Sequence, residues 1–183
     1  MVKNVKKCLE VVNLIFIFAP NLFTLMVHFN CEYRCKIDVK GRIMLPVSFR
    51  KKMAEHGEKE PYRFVIKKDM YEKCLELYTM EAWENKQTKI LSMINDFLPD
   101  DNRLYRDFKM GATEVECDTT GRILIQKDLF KLAEITNEAI LSGSYGKIEI
   151  WSPELYYNSG GDVDAKKERA QRILGNQNKA KSP

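Results

Sequence analysis

One short phrase occurs twice in this chain, and the repetition constrains the fold more than any other feature. Residues 37–46 read IDVKGRIMLP and residues 117–126 read CDTTGRILIQ, so Asp38, Gly41, Arg42 and Ile43 recur as Asp118, Gly121, Arg122 and Ile123 at a constant offset of 80. A second phrase, LELYTMEAW at 75–83, returns as IEIWSPELY at 148–156. Both phrases keep the same order in both halves. This argues for two copies of one structural unit, and units built for duplication commonly present a surface rather than a catalytic pocket.

The local patterns support that plan. Tyr33, Cys35 and Ile37 alternate with Glu32, Arg34 and Lys36, the period of a half-buried strand. Asp38-Val39-Lys40-Gly41 is turn chemistry, and Arg42 to Leu45 resumes a strand, so 31–45 reads as a hairpin-like element. Pro46 suits a first helical position, followed by a short helix. Strands are expected over Tyr62–Lys67 and Cys74–Tyr78. Thr79 is positioned to cap a helix whose apolar stripe is Met80, Trp83, Ile90, Ile94 and Phe97. Pro99 is expected to end that helix, and Asp100 or Asp101 to cap the next, which carries Leu104 and Phe108.

The second half repeats the plan. Val115 and Cys117 lead into the Asp118–Gly121 turn, Arg122–Ile125 returns, and Lys127–Glu134 forms a short helix. Strands follow at Ala139–Ser142 and Ile148–Trp151, then a helix opened by Ser152-Pro153-Glu154. Beyond Tyr157 no aromatic residue occurs, and 158–183 reads as a flexible charged tail with at most one transient helix.

The 25 residues at the start do not fit the repeat. Lys3, Lys6 and Lys7 precede an apolar stretch, Leu14 to Phe29, interrupted by Pro20 and Asn21. Three readings are open: a start assigned too early, with Met26 the true beginning; a loosely ordered extension; or a targeting or membrane segment. Either of the last two would change the localisation, and no membrane partner is expected unless residues 1–25 are genuine. Five scattered cysteines (Cys8, Cys31, Cys35, Cys74, Cys117) without a CxxC pair read as a reduced, cytoplasmic setting.

Charge separates the two copies. The chain as a whole is +4. Residues 31–52 hold seven basic residues (Arg34, Lys36, Lys40, Arg42, Arg50, Lys51, Lys52) against two acidic ones, net +5. The window 80 residues later, 111–132, is net −1. The first copy therefore carries the footprint expected for a polyanion. An arginine directly after a tight glycine turn can present its planar fork to phosphate or guanine. The alternative is a turn held by an Asp–Arg pair and a solvated basic face. Catalytic and metal chemistry have little support. His28 and His56 are the only histidines, and Cys31 and Cys35 on a strand would stand roughly 13 Å apart. No clustered acid, base and nucleophile suggests an enzyme, and no cofactor or small-molecule substrate is expected.

From Cys31 to Tyr157 the chain resembles the MraZ family of bacterial transcriptional regulators, which have an AbrB-like swapped-hairpin DNA-binding fold. The resemblance is carried by Glu32-Tyr33, Asp38 to Pro46, Phe49-Arg50, Leu77-Tyr78 with Trp83, Gly111-Ala112, Asp118 with Gly121-Arg122-Ile123, and Ile148 to Trp151. It implies an α+β chain of two tandem swapped-hairpin units, each followed by short helices, within one pseudo-twofold domain. The first repeat would span 26–110 and the second 111–157. It further implies a ring-like homo-oligomer on promoter repeats of the division and cell-wall gene cluster, often its own promoter, and hence a nucleoid-associated protein. Arg42 would lead the DNA contact, with Lys40, Lys36, Arg34 and Arg50 beside it. Asp38, Gly41, Asp118 and Gly121 would structure the loops. The second copy departs from the pattern, with Gln126 for the proline, Phe130 for Arg50 and Thr120 for Lys40, so Arg122 is expected to be at most a weaker contact. The competing class is a ring-forming protein-interaction scaffold.

Overall fold

The computed structural model describes residues 27–159 and 161–179. The first repeat contributes β1 (Glu32–Lys36), β2 (Arg42–Met44), α1 (Val47–Glu55), β3 (Arg63–Lys68), β4 (Leu75–Thr79), α2 (Met80–Leu91) and α3 (Pro99–Lys109). The second contributes β5 (Thr113–Glu116), β6 (Arg122–Leu124), α4 (Lys127–Leu132), β7 (Glu138–Gly143), β8 (Lys147–Trp151) and α5 (Pro153–Asn158), and α6 (Val163–Lys179) follows. The class is α+β, as the resemblance implies.

Six strands form one antiparallel sheet in the order β1-β7-β8-β4-β3-β5, and β2 pairs with β6 in a separate ribbon. Exchanging the two repeats converts β1 to β5, β3 to β7 and β4 to β8. The strand order then reads the same backwards, which defines a pseudo-twofold axis between β4 and β8. The ribbon obeys the same axis, with Ile43 facing Ile123 at its centre. The hairpin-like element expected over 31–45 is therefore an interlocked one. β1 pairs along its length with β7, while the end of β1 meets β2 through the isolated Ile37–Ile43 bridge and a Cys35 Sγ to Met44 carbonyl contact at 3.6 Å. The reason is burial: Ile43 and Ile123 are both 0% exposed, and each covers the other only if the two return strands pair across the repeats.

The sheet has two buried faces. On one, Phe64, Ile66, Leu75, Leu77, Leu141, Ile148 and Ile150 pack against Ile43, Leu45, Phe49, Met53 and Phe130 from the ribbon, α1 and α4. On the other, α2 and α3 cover Val65 and Tyr78, and α5 covers Ile140 and Trp151. The second repeated phrase makes these covers. Thr79 accepts from the Ala82 N–H at 3.1 Å and Ser152 from the Leu155 N–H at 3.3 Å, two equivalent helix caps. Tyr78–Trp83 and Trp151–Tyr156 are equivalent aromatic pairs, with centroids 5.6 and 6.2 Å apart. The same phrase places Glu76 directly opposite Glu149 beside the axis, which costs stability unless cations intervene. Lys147 lies 2.6 Å from Glu76 and 2.9 Å from Glu149, and buried Lys67 closes the network on Glu76 at 3.1 Å.

Several boundaries differ from expectation: Pro46 is the cap of α1 and not its first helical residue, and α4 ends at Leu132, short of Glu134. α2 stops at Leu91, Phe97 is 88% exposed, and Pro99 opens α3 instead of ending α2. The Ser92 hydroxyl donates to the Lys89 carbonyl, the Met93 N–H to the Ile90 carbonyl and the Asn95 N–H to Asp101, local bonds that replace the helical ladder beyond Leu91. Asp100 and Asp101 are not the cap, which is Leu98, and lie in the first turn, where negative charge favours the helix dipole. The tail contains the 17-residue α6, exposed wherever its side chains are described.

Candidate nucleic-acid interface

Each repeated turn is organised by its aspartate. Asp38 Oδ1 accepts from the backbone N–H groups of Lys40 and Arg42, both at 2.9 Å, while Oδ2 accepts from Arg42 Nε at 2.7 Å. Gly41, at φ +83°, donates to the Asp38 carbonyl. Asp118 repeats the pattern with the N–H groups of Thr120 and Arg122 at 2.8 and 2.9 Å, and Gly121 sits at φ +85°. There the Thr120 hydroxyl, 2.6 Å from Asp118 Oδ1, supplies an additional donor. Both carboxyls are held below the usual carboxylate range. For Asp38 the main cause is the Arg42 N–H, helped by the Arg42 guanidinium; for Asp118 it is the Thr120 hydroxyl, followed by the Arg122 N–H.

The turns are joined through the ribbon. The Leu45 N–H donates to the Gly121 carbonyl at 2.8 Å and the Ile125 N–H to the Gly41 carbonyl at 3.0 Å. Each turn is thus locked by the other repeat. In the ribbon register Arg42 stands opposite Leu124 and Met44 opposite Arg122. All four lie on the outer face, with Ile43 and Ile123 beneath, and Arg42 and Arg122 are diagonal neighbours about 7–8 Å apart. The structure therefore brings together the two arginines that sequence reading treated separately. Lys40 is exposed on the first turn beside them.

Other expected residues fall elsewhere. Arg34 is ion-paired with Glu138 at 2.6 Å, and Lys36 stands opposite the same glutamate. Both project from the exposed side of β1, whereas Tyr33, Cys35 and Ile37 turn toward the ribbon and core. Arg50 is half-buried against the second turn: a Cβ on Gly121 would meet its Cζ at 2.8 Å, and its Nε is buried without a hydrogen-bond partner among the described residues. By the same symmetry Phe130 lies against Gly41. Because each turn abuts the other repeat's helix, charge counted repeat by repeat misassigns the surroundings. Lys127 and Lys131 of α4 line the same surface depression as Asp38, Val39 and Gly41. Sequence reading missed both lysines, since only the cross-repeat pairing brings α4 to the first turn.

Fold and site together define a class: a duplicated, interlocked hairpin module whose most elaborated surface is an arginine-bearing ribbon. Known proteins narrow it. A family model described as "MraZ protein, putative antitoxin-like" matches residues 29–106 and 108–169. Proteins named transcriptional regulator MraZ are similar across most of their length. The one from Christiangramia forsetii is 38% identical over 152 residues, covering 82% of this chain and 96% of the relative. The one from Flavobacterium psychrophilum is 37% identical over 147 residues, covering 80% and 91%. One from a Thermoanaerobacter species is 32% identical over 148 residues, covering 80% and 96%. The chain belongs to the MraZ family. A solution structure, PHS018 from Pyrococcus horikoshii, aligns at a TM-score of 0.28 and 15% identity, covering 66% of this chain and 95% of that one, too distant to bear on the fold.

Proposed function

We propose that this chain is a sequence-specific, DNA-binding transcriptional regulator that acts on promoter repeats of the division and cell-wall gene cluster, its own promoter among them, as a nucleoid-associated, ring-like homo-oligomer. The observation that carries the reading is the ribbon: two aspartate-anchored turns deliver Arg42 and Arg122 to one outer face over a buried Ile43–Ile123 pair. A two-stranded ribbon fits the major groove, and a guanidinium can take guanine O6 and N7 together. Lys40, with Lys127 and Lys131 nearby, supplies phosphate attraction that positions the ribbon. Arg34 and Lys36, on the other side of β1, are assigned to outlying phosphate contacts, and Arg50 to bracing the second turn. Several copies in one assembly would add individually weak contacts on successive repeats.

The test is fluorescence anisotropy of the protein on DNA from upstream of its own gene, beside scrambled DNA, across a salt series. Selective binding that weakens steeply with salt and is largely lost in Arg42→Ala supports the reading. Equal, weak binding to both DNAs would overturn it. A second reading, a scaffold that binds protein alone, is favoured by the apolar elbow between α2 and α3, where Met93 is 74% and Phe97 88% exposed. It predicts assembly that is unaffected by Arg42→Ala and no discrimination between the two DNAs.

A further inference from the structure

The outer face of the β2–β6 ribbon carries four side chains, and the DNA-binding reading uses only Arg42 and Arg122. The other two, Met44 and Leu124, are large, apolar and 41% and 58% exposed. They are symmetry equivalents, and the two strands have the same burial pattern, half-buried, buried, exposed. The register sets Leu124 opposite Arg42 and Met44 opposite Arg122, so each arginine has an apolar neighbour with Cβ atoms about 4.5–5.5 Å away. Along each strand arginine and apolar residue are two positions apart, about 6.6 Å, close to two base-pair steps of about 3.4 Å.

We infer that Met44 and Leu124 are specificity-determining residues that contact the C5-methyl groups of thymines one or two base pairs from the bases addressed by Arg42 and Arg122. The chemistry on both sides is complementary. Thymine is the one base that offers an apolar group in the major groove, and a guanine nearby offers the acceptor pair an arginine takes. The inference rests on the DNA-binding reading above and adds to it a thymine requirement that the arginines alone cannot impose.

The test removes the methyl group and nothing else. In the selectively bound promoter duplex each thymine is replaced in turn by deoxyuridine. Binding is measured for the wild type, Met44→Ala, Leu124→Ala and Leu124→Met, whose unfolding midpoints show whether each variant is folded. At one or two thymines the wild type should lose affinity about three- to fivefold, the effect of burying one methyl group. At a given thymine the loss should vanish in the matching alanine variant and persist in Leu124→Met. If the wild type binds selectively and Arg42→Ala abolishes that binding, yet no thymine methyl couples to either side chain, this inference alone fails. If Leu124→Ala instead changes the assembly size with no methyl effect, the face belongs to a contact between copies and the inference is overturned. If the wild type does not discriminate promoter from scrambled DNA, the DNA-binding reading falls and takes this one with it.

Discussion

Substituting alanine at three glycines separates the strain of a left-handed backbone from the locking of the first turn. Gly41, Gly57 and Gly121 have φ of +83°, +85° and +85°, so each alanine variant meets a similar backbone penalty of roughly 1–2 kcal/mol. Part of that is returned, about 0.4–1 kcal/mol, because alanine narrows the unfolded ensemble. At Gly57 a new Cβ meets nothing within 4 Å among the described residues, so Gly57→Ala should cost about 1 kcal/mol, the backbone term alone. At Gly121 the added atom meets the Arg50 guanidinium at 2.8 Å, the end of a long side chain that can move. At Gly41 it lies 3.0 Å from the backbone carbonyl of Ile125, whose N–H donates to the Gly41 carbonyl. That neighbour cannot move without loosening the cross-repeat lock, a net loss of about 1 kcal/mol for the hydrogen bond alone. Gly41→Ala should therefore cost roughly 2–3 kcal/mol, with Gly121→Ala between the other two. Urea unfolding read from the midpoint and slope gives each value. Equal costs at Gly41 and Gly57 would show that the turn is not held by the opposite repeat, and the account of the ribbon as one locked unit would fail.

Three further outcomes are expected. Glu76→Ala should destabilise by about 3–5 kcal/mol, because it strands the buried Lys67 ammonium; Lys67→Met, which leaves Glu76 with Lys147, should cost clearly less in the same urea assay. Asp38 and Asp118 have folded-state pKa values below the ordinary range. Their contribution is therefore present above about pH 4 and disappears as pH falls through the depressed values; unfolding midpoints from neutral to acid pH should fall less steeply in the Asp38→Asn, Asp118→Asn double variant than in the wild type. Lys40→Ala should weaken binding to promoter and scrambled DNA alike and lower the slope of log affinity against log salt by about 1, whereas Arg42→Ala should cost about 1–3 kcal/mol chiefly on the promoter.

Much of this architecture is legible in the residues. The duplicated phrases announce two units, and alternation in Tyr33–Ile37 and the caps at Thr79 and Ser152 place their elements, because those signals are local. The pairing partners are not local. The resemblance implies swapped hairpins, but no residue near Arg42 gives the register that sets its strand against Leu124, so the shared arginine face and the α4 lysines beside the first turn emerge only from the fold. The burial of Arg50 is hidden for the same reason, since its neighbour is Gly121. Pro99 misleads for a different reason: proline is as compatible with a first helical turn as with a helix end. The Glu76–Glu149 pair is written twice in the repeated phrase, yet only the register shows that the two carboxylates face each other.

The pairing of β1 with β7 and of β2 with β6 has a consequence for synthesis. The opening strands of the first half find their partners only in the second half. At about 5–20 residues per second, a ribosome needs roughly 5–20 s to make the stretch between β1 and β7; the Ile43 surface stays open until β6 is made, and the edge of β1 for the whole interval. Contacts this distant in sequence also slow folding, because a long loop must close before any of them forms. Cutting the chain between the repeats should leave neither half able to fold alone, while mixing the halves should restore one interlocked body.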